Sequence, residues 1–453
     1  MRRKVEHIHF VGIGGIGMSG IAEVLLTLGY QVSGSDISES DMTSRLASLG
    51  AAVYRGHGVS NLNRADVVVV SSAIDHDNPE VAEAHRRGVP VIPRAEMLAE
   101  LLKMKFSIAV SGCHGKTTTT SMIAAILASG GLDPTVVVGG KLASVGRNAQ
   151  LGSGEVIVAE ADESDGSFLK LAPSIAVITN IDREHMDYYH DIEDIKSSFL
   201  QFANSVPFYG TTILCSDDEH VRDIMPRIKR KIVSYGLSEG AEYRATDITF
   251  QGMTSRFFLH HREDRLGEIT LHAPGRFNVC NAIAAIAVAR ELDMDFQAIQ
   301  AGIESFQGVQ RRLEVRGLVN GITVVDDYGH HPTEIRETLA AARSVWNSRV
   351  VVVFQPHRYT RTKALFDDFL GAFDEADEVI VTDIYAASEK EIEGVHSRCL
   401  CERMRECGHG GVKYIAEFED IVRYLQENLR PGDVVMTLGA GNVWKIGEQF
   451  LGR

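Results

Sequence analysis

The stretch Ser111–Thr118, which reads Ser-Gly-Cys-His-Gly-Lys-Thr-Thr, decides how the middle of this 453-residue chain folds. An apolar run, Phe106–Val110, precedes it, and a run with helical character, Thr119–Leu127, follows it. A strand, a glycine-rich turn, a Lys-Thr pair and a helix build a phosphate-binding loop, whose backbone N–H groups and helix N-terminus hold phosphate oxygens. The general pattern has a further glycine at position 110, so this loop is a shortened Gly-x-x-Gly-Lys-Thr form. We predict nucleotide binding, with Lys116 neutralising phosphate charge and the Thr117 hydroxyl within reach of Mg²⁺.

A second glycine-rich turn, Gly12–Gly17, follows the apolar stretch Ile8–Val11. Downstream, Tyr30–Asp36 reads as a strand that ends in an acidic residue, near the spacing of a dinucleotide-binding fingerprint. Taken alone, this pattern favours an NAD-dependent dehydrogenase, or else a glycine turn that only packs a helix closely on a strand. Two separate phosphate loops are not typical of a simple dehydrogenase. We expect one loop to hold a nucleotide-linked substrate and the other to hold ATP.

Length and composition are those of a globular protein with about three domains. Hydrophobic residues make up 44% and charged residues 24% of the chain, which are ordinary proportions. The formal net charge of −15 argues against a nucleic-acid-binding protein, which needs a basic surface. No apolar run approaches about 18 residues and the N-terminus lacks the apolar core of a signal peptide, so we expect a cytoplasmic protein without a membrane span.

The six cysteines are scattered, as free thiols in a reducing compartment would be. Three of them, Cys399, Cys401 and Cys407, form with His396 and His409 a pattern that invites a zinc interpretation. Their spacing matches no standard zinc motif, and residues 397–406 read as one amphipathic helix, so a structural interpretation is favoured.

Cys113 differs from the other cysteines because it lies in the phosphate loop, at a helix N-terminus and close to Lys116. Both the helix dipole and the ammonium favour a thiolate, which predicts a pKa below the free value of about 8.5. The alternative is a small buried side chain with an inert thiol.

Alternation of strand-like and helix-like runs predicts an α/β fold with three domains. The first domain, residues 1–104, alternates strands such as 67–71 with helices such as 94–103. The second, residues 105–310, begins at the phosphate-loop strand, and its residues 241–272 suggest short antiparallel strands that close the domain. The third, residues 311–453, is again an α/β unit.

Polar residues follow two strand-like runs of the second domain. Glu160–Asp165 comes after Val156–Ala159, and Thr179–His185 comes after Ile175–Ile178. Open α/β sheets place their ligands at strand ends, and carboxylates beside a phosphate loop are typical ligands of Mg²⁺. The alternatives are a solvated acidic loop and a structural histidine.

These residues together make the chain resemble the Mur ligases, the ATP-dependent amino-acid-adding enzymes of peptidoglycan synthesis. The resemblance covers nearly the whole chain and also includes Gly275–Ala282, Arg311–Arg312, Asp326–Pro332 and Phe354–Arg361. The segments Glu160–Asp165 and Asp326–Pro332 favour the member that adds L-alanine over the later ligases and over the murein-peptide recycling ligase. Two positions depart from the family pattern: Cys113, where Thr is frequent, and Phe277, where His is common.

The resemblance implies a Rossmann-like N-terminal domain that binds the UDP-linked substrate, a central P-loop ATPase domain and a C-terminal Rossmann-like domain that binds the amino acid. It implies that ATP phosphorylates the lactyl carboxylate of UDP-N-acetylmuramate and that the amine of L-alanine attacks the acyl phosphate. Positioning and charge neutralisation would be the protein's contribution. ATP and Mg²⁺ are the implied cofactors, and we expect a monomer or weak homodimer.

The resemblance also implies a role for individual residues. The predicted catalytic residues are Lys116, Arg312, His330 and Arg361. The predicted ATP site comprises Gly112, Cys113, His114, Gly115, Lys116, Thr117, Thr118, Asn278, Asn281 and Arg312, with Asn281 at the adenine edge. The predicted Mg²⁺ ligands are Thr117, Glu160 and His185. The predicted UDP-substrate site comprises Gly14, Gly15, Ile16, Gly17, Met18, Ser19, Asp36, Ser71, Ser72, Arg94 and His114. The predicted amino-acid pocket comprises Tyr328, His330, His357, Arg358 and Arg361. Asp36 serves either the uridine side or only caps a strand.

Two other classes of function stay open at this point. An NAD-dependent dehydrogenase would bind NAD at Gly12–Gly17, and Lys116 would then have no functional role. A nucleotide-dependent switch would bind ATP or GTP without joining an acid to an amine.

Overall fold

A computed structural model of the protein describes residues 5–71, 74–75, 77–142 and 147–452. The first of its three sheets is parallel, with strand order β3-β2-β1-β4-β5. Its strands are β1 (His7–Val11), β2 (Gln31–Asp36), β3 (Ala52–Arg55), β4 (Val67–Val70) and β5 (Val91–Pro93). Its helices are α1 (Ile16–Thr27), α2 (Asp41–Ser48), α3 (Pro79–Arg87) and α4 (Arg94–Leu102). This order reverses direction beside β1, and ligands of open α/β sheets bind at such a switch point.

The central sheet has ten strands, ordered β15-β14-β13-β12-β11-β10-β6-β9-β7-β8. They are β6 (Phe106–Ser111), β7 (Thr135–Leu142), β8 (Arg147–Gln150), β9 (Val156–Glu160), β10 (Ile175–Ile178), β11 (Thr211–Cys215), β12 (Lys231–Gly236), β13 (Tyr243–Gln251), β14 (Thr254–His261) and β15 (Asp264–Leu271). The helices are α5 (Lys116–Ser129), α6 (Ile192–Ser205), α7 (Glu219–Ile224), α8 (Arg276–Glu291) and α9 (Phe296–Glu304). The antiparallel strands β13–β15 were predicted, but they are eight or nine residues long and continue this sheet.

The third sheet is ordered β16-β17-β21-β18-β19-β20, with β16 as an antiparallel edge. Its strands are β16 (Glu314–Val319), β17 (Ile322–Asp327), β18 (Val350–Phe354), β19 (Glu378–Val381), β20 (Val412–Tyr414) and β21 (Val434–Leu438). The helices are α10 (Pro332–Val345), α11 (Tyr359–Ala364), α12 (Phe366–Phe369), α13 (Ser397–Glu406), α14 (Phe418–Asn428) and α15 (Trp444–Phe450). The predicted α/β class is confirmed.

Helix α13 spans the region of the zinc-like pattern. His396 caps this helix by accepting a hydrogen bond from the Arg398 backbone N–H at 3.0 Å, and Cys401 is buried in the core. Within the described ranges, these residues form no cluster with metal-binding geometry. The predicted helix over residues 397–406 is confirmed.

The clusters of buried apolar residues do not correspond one to one with the three sheets. A single continuous cluster runs from Phe10 and Met18 of the first domain to Phe168 and Phe199 of the central domain. The other face of the central sheet has its own cluster, and the third domain has two more. The first two domains thus share one buried apolar cluster, whereas the third domain has separate cores, against one of which Met253 and Phe277 of the central domain pack.

Among the helices that the structure describes, none is both long enough and apolar enough to cross a bilayer.

Candidate functional site

The phosphate loop joins β6 to α5 through two glycines with positive φ. Gly112 has φ 136° and Gly115 has φ 81°, a region that residues with a Cβ rarely adopt. A Cβ on Gly115 would lie 2.6 Å from the Asn281 side-chain oxygen, and Thr119 donates a hydrogen bond to that same oxygen at 3.1 Å. The loop is therefore packed directly against α8, which carries the predicted adenine-side asparagine.

Lys116, the first residue of α5, is held by groups of the loop and by a neighbouring carboxylate. Its ammonium donates to the Gly112 carbonyl at 2.7 Å and to Glu163 Oε1 at 2.8 Å. Burial alone would lower the pKa of Lys116, but the charges of Glu163, Asp162 and Glu160 outweigh it and raise that pKa. Lys116 is a cation fixed at the mouth of the loop, where phosphate would bind.

The expectation of a reactive Cys113 is wrong. The thiol is buried, and its pKa is raised well above the ordinary value by that burial and by the charge of Glu163, which together outweigh Lys116. Its sulfur also accepts a hydrogen bond from the Asp182 backbone N–H at 3.1 Å. The sequence pattern contained the ammonium and the helix terminus but not the carboxylate.

The predicted Mg²⁺ ligands lie around the same lysine. Thr117 Oγ1 lies 3.0 Å from Glu160 Oε2, and His185 Nε2 lies 3.5 Å from Glu163 Oε1. The other oxygen, Glu163 Oε2, is buried and has no hydrogen-bond partner among the described residues. Hydroxyl and carboxylate oxygens are the donors that Mg²⁺ prefers, so the residues present fit this ion.

A different group has the compact geometry of a metal site. Ligand atoms of His114, Glu184 and His331 lie within 4.8 Å of one another. However, His114 Nε2 already lies 2.9 Å from Asp182 Oδ2. Burial would lower the pKa of His114, but Asp182 and Glu334 outweigh it and raise that pKa to about 10. A protonated imidazole does not ligate, so His114 is an ion-pair partner here.

A cavity of about 390 Å³ opens between the central and third domains. Its walls include six predicted ATP-site residues and several groups that were not predicted. The predicted ones are His114, Gly115, Thr118, Asn278 and Asn281, with Arg312 at the third-domain side, and the unpredicted ones include Cys215, Asp217, Tyr235, Asp327 and Glu334. This volume lies within the range of small-molecule and cofactor sites.

Glu334, in the first turn of α10, connects the phosphate loop to the third domain. Its Oε1 accepts from Arg312 at 3.2 Å and lies 3.6 Å from His114 Nδ1, and its Oε2 accepts from the His330 backbone N–H at 3.1 Å. Next to it, burial raises the pKa of Asp327 to about 6, against the opposing charge of Arg312. Glu334 was not predicted, because its partners come together only when the two domains meet.

The residues predicted to bind the amino acid lie along this same domain boundary. Arg361 donates to Glu184 Oε1 at 2.7 Å and to His357 Nδ1 at 3.1 Å, and Arg358 donates to Asp187 at 3.3 Å. Burial lowers the pKa of His330 to about 3 and that of His357 to about 4, with Arg361 adding to both shifts. Both imidazoles are neutral at pH 7. A smaller cavity of about 110 Å³ includes Arg358 and Arg361 among its lining residues.

His330 is held as one tautomer. Its Nδ1 lies 3.1 Å from the Tyr328 carbonyl oxygen, which can only accept, so Nδ1 carries the proton and Nε2 is an acceptor.

The first-domain loop is closed by Asp36. This carboxylate accepts from the Gly14 backbone N–H at 2.9 Å, which is the strand-capping interpretation of Asp36.

The Met18 side chain is buried in the core, so only its backbone could contact a ligand. Ser71 lies just after β4, and Ser72 lies outside the described residues. Gly15 precedes α1, Ile16 and Gly17 are its first two residues, and Ser19 is buried within it.

Arg94, at the start of α4, fills the space beside that loop. A Cβ on Gly17 would lie 2.6 Å from Arg94 Nη1, and Arg94 Nη2 lies 3.9 Å from Asp162 of the central domain. The predicted UDP-side residues therefore face the acidic segment that follows β9.

Comparison with known proteins gives one consistent result. Three family models match the chain: "Mur ligase family, catalytic domain" at residues 7–106, "Mur ligase middle domain" at 110–289 and "Mur ligase, glutamate ligase domain" at 311–441. The UDP-N-acetylmuramate–L-alanine ligase of Syntrophus aciditrophicus is 65% identical over all of this chain and 94% of its own length. The enzyme of the same name from Geobacter sp. strain M21 is 58% identical over all of this chain and 98% of its own.

Among solved structures, a UDP-N-acetylmuramate–alanine ligase of Thermotoga maritima superposes with a TM-score of 0.81 at 30% identity, covering 99% of this chain and 98% of that one. A murein peptide ligase of Psychrobacter arcticus, at 24% identity and a TM-score of 0.70 over 98% of both chains, shares the fold.

Proposed function

Because the chain belongs to the Mur ligase family, we propose that it joins L-alanine to the lactyl carboxylate of UDP-N-acetylmuramate with consumption of ATP. The 65% identity to a ligase of that name, over the full chain, is the observation that carries this proposal. The reaction belongs to the synthesis of peptidoglycan precursors, for which we expect a cytoplasmic location.

The proposed reaction has two steps. The lactyl carboxylate attacks the γ-phosphorus of ATP, giving an acyl phosphate and ADP. The amine of L-alanine then attacks the acyl carbon, loses a proton, and phosphate leaves with the electrons of the broken C–O bond. Phosphoryl transfer of this kind depends on positioning and charge neutralisation.

The phosphate loop supplies the positive charge for the first step. Lys116 would bind the β- and γ-phosphates in exchange for part of its contact with Glu163, and Arg312 would approach them from the third domain. Thr117 and Glu160, with His185 nearby, would hold Mg²⁺, which shields phosphate charge when bound. Asn278 and Asn281 line the cavity on the side of α8, where we expect the adenine.

The third domain would supply the amino acid. Arg361 uses Nε for Glu184 and Nη1 for His357, which leaves Nη2 for the carboxylate of L-alanine. Neutral His330, with Nε2 as an acceptor, can take the proton from the attacking amine. Tyr328, His357 and Arg358 complete this wall.

The UDP moiety would lie on the first domain. The N–H groups of Gly12–Gly15 already donate within the protein, so those of Ile16 and Gly17 at the start of α1 would face the ligand, and Arg94 adds a cation beside them. Arg94 faces Asp162, so the substrate would extend from this loop toward the phosphates of ATP.

The test is a substrate-dependence assay on the purified chain. ADP release should require UDP-N-acetylmuramate and L-alanine together, and mass spectrometry should find one alanyl residue added through an amide. A panel with glycine, L-serine and the murein tripeptide separates this activity from recycling. ADP release without any amine would indicate a switch, and a fluorescence titration showing NADH binding would favour a dehydrogenase.

The Mg²⁺ assignment has its own test. Glu160→Gln and His185→Ala should each raise the Mg²⁺ concentration that gives half-maximal activity, because each removes a proposed ligand. An unchanged Mg²⁺ requirement in both variants would assign these residues a structural role.

A further inference from the structure

Two cysteines meet at the wall of the large cavity. Cys215 is the last residue of β11 and Cys280 lies near the start of α8. Both line the cavity that contains Gly115 and Asn281, and they are the only cysteines among its lining residues. Cys215 is 6% exposed and Cys280 is partly exposed, so the cavity is the route by which a small molecule would reach them.

The two thiols are neighbours. Cys280 packs against the apolar cluster that contains Cys215, and its thiol donates to Asp217 Oδ2, two residues along the chain from Cys215, at 3.9 Å. Asp217 is fixed in turn, because its carboxylate accepts from the Leu237 and Ser238 backbone N–H groups at 2.6 Å and 3.0 Å. Cys280 is therefore held beside the end of β11, where Cys215 lies.

The pair differs chemically from the remaining thiols. The interaction with Cys280 lowers the pKa of Cys215, burial opposes this, and the Asp217 backbone N–H lowers it further, whereas the interaction with Cys215 and burial raise the pKa of Cys280. Cys215 is thus the thiol that ionises more readily, and Cys280 is its protonated neighbour. An attacking and a resolving cysteine have this relation in redox-active pairs.

We propose that Cys215 and Cys280 form a dithiol that hydrogen peroxide oxidises to an intramolecular disulfide, which closes the nucleotide end of the cavity. The assignment of this cavity to ATP rests on the proposed function, whereas the formation of the disulfide does not.

The chemistry balances with peroxide as the only oxidant. The Cys215 thiolate attacks one peroxide oxygen, the O–O bond breaks, and the product is a sulfenic acid with hydroxide, which takes up a proton to become water. The Cys280 sulfur then attacks the Cys215 sulfur, the S–O bond breaks, and a second water leaves with the Cys280 proton. Two thiols are oxidised by two electrons, and one peroxide is reduced.

The disulfide would act on nucleotide binding through α8. A disulfide holds its sulfurs about 2.05 Å apart and its Cα atoms about 4.4–6.8 Å apart, so it would tie the start of α8 to the end of β11. Asn278 and Asn281 lie on that same part of α8, within a turn of Cys280 on either side. Bound ATP would cover the pair, so oxidation should affect the nucleotide-free enzyme.

The experiment treats the purified full chain with hydrogen peroxide, with and without Mg-ATP, and maps the disulfide by peptide mass spectrometry. We expect a Cys215–Cys280 linkage, slower formation with Mg-ATP, and at least about tenfold weaker ATP binding by calorimetry after oxidation, reversed by dithiothreitol. Cys280→Ser should retain ATP binding through the same treatment relative to its own untreated sample. Cys407→Ser, at an exposed position of the third domain, is the matched control and should respond like the parent.

Each result decides the proposal. A linkage in the parent that is absent from Cys280→Ser supports it, even if ligase activity proves to be different from that proposed. Peroxide treatment that leaves the two cysteines as separate thiols or sulfinic acids would overturn it. Equal loss of ATP binding in the parent and in Cys280→Ser would overturn the link to the nucleotide site.

Discussion

Lys116 forms an ion pair with Glu163 before any nucleotide binds. Its structural role, neutralising Glu163, can therefore be tested separately from its proposed chemical role of binding phosphate. Its partner Glu163 is 1% exposed on its side chain, so removal of the lysine leaves a buried carboxylate whose other ion-pair partner among the described residues is His185. Such an uncompensated charge destabilises a fold by about 3–5 kcal/mol. A loss of activity in a single variant would therefore not by itself identify a phosphate-binding lysine.

The prediction at this scale uses a pair of variants. Lys116→Ala should lower kcat/KM by about 10²–10³ or more, because a preorganised charge on the transferring phosphoryl group is lost. The double variant Lys116→Ala/Glu163→Gln should recover most of the free energy of unfolding, measured in urea, but no activity. Lys103→Ala, which removes an exposed lysine, is the control. Recovery of activity in the double variant would show that Lys116 only neutralises Glu163.

The residue scale also shows what the sequence could predict. Glycines, Lys116 and the acidic loops were found because they are contiguous motifs with a known backbone geometry. Glu334 and Asp182 were missed, since each has a partner that is distant in sequence and belongs to another domain, His114 for Glu334 and Thr333 for Asp182. The Cys113 error has the same cause: a nearby cation was visible in the sequence and a buried anion was not.

At the scale of elements, the turn between β6 and α5 depends on a glycine for two separable reasons. Gly115 has both a positive φ and the Asn281 oxygen in the space that a Cβ would fill. Gly131 also has a positive φ, of 76°, but no atom within 4 Å of such a Cβ. Gly115 and Gly131 therefore share a left-handed backbone conformation, but only Gly115 has another side chain in the space that a Cβ would fill.

We therefore expect Gly131→Ala to lower the free energy of unfolding by about 1 kcal/mol, the strain of the left-handed conformation. Gly115→Ala should lower it by at least about 1 kcal/mol more and should raise the KM for ATP, because α8 must move away from the loop. Urea unfolding and ATP titration of both variants measure the difference. Equal losses of unfolding free energy in the two variants would show that the Asn281 side chain moves aside without an energetic penalty.

A buried carboxylate joins the strands of the first domain to α3. Glu80 accepts hydrogen bonds from Ser35 at 2.6 Å, from Asn61 at 2.6 Å and from the Gly58 backbone N–H at 3.0 Å. Burial would raise its pKa, but the bonds from His9, Ser35, Gly58 and Asn61 together lower the pKa of Glu80 from 4.5 to about 2. An ionised Glu80 thus stabilises the domain.

A depressed pKa means that this stabilisation is present above pH 4.5 and is lost as the pH falls toward 2. The shift corresponds to a contribution on the order of 3 kcal/mol. Glu80→Gln should be less stable than the parent at neutral pH, and the two free energies of unfolding should converge in acid. Glu239→Gln, at an exposed position, should follow the parent throughout. Parallel pH profiles for Glu80→Gln and the parent would contradict the prediction.

Strands and helices were largely predictable, since each carries a hydrophobic pattern with turn residues at its ends. The length of β13–β15 and their place in the central sheet were not, because strand pairing depends on contacts that a local pattern does not contain. The identity of the sheet that a strand joins is a property of the assembled domain.

For the whole molecule, the contacts between the central and third domains combine apolar packing of Met253 and Phe277 with ion pairs such as Arg361–Glu184. Arg361 and Glu184 are 10% and 5% exposed, whereas Arg358 and Asp187 are 37% and 43% exposed. Burial strengthens the coupling of the first pair, and an exposed pair contributes little. Glu184 also orients Arg361 toward the proposed amino-acid pocket.

Glu184→Gln should therefore raise the KM for L-alanine by about tenfold with a smaller change in kcat, because Arg361 loses its orienting partner. Asp187→Asn should change both constants by less than about twofold. Steady-state kinetics with varied L-alanine measures both. A lower KM in Glu184→Gln would show that Glu184 competes with the substrate carboxylate for Arg361.

The apolar cluster shared by the first two domains has a consequence for how the protein melts. Residues that bury one another unfold together, so the first and central domains should form one cooperative unit, while the third domain, with its own cores, should melt separately. Differential scanning calorimetry should then resolve two transitions, the larger with about two thirds of the total heat, because unfolding enthalpy scales with the number of residues. Limited proteolysis near residue 310 should release the third domain intact, and the rest of the chain should resist cleavage between its two domains.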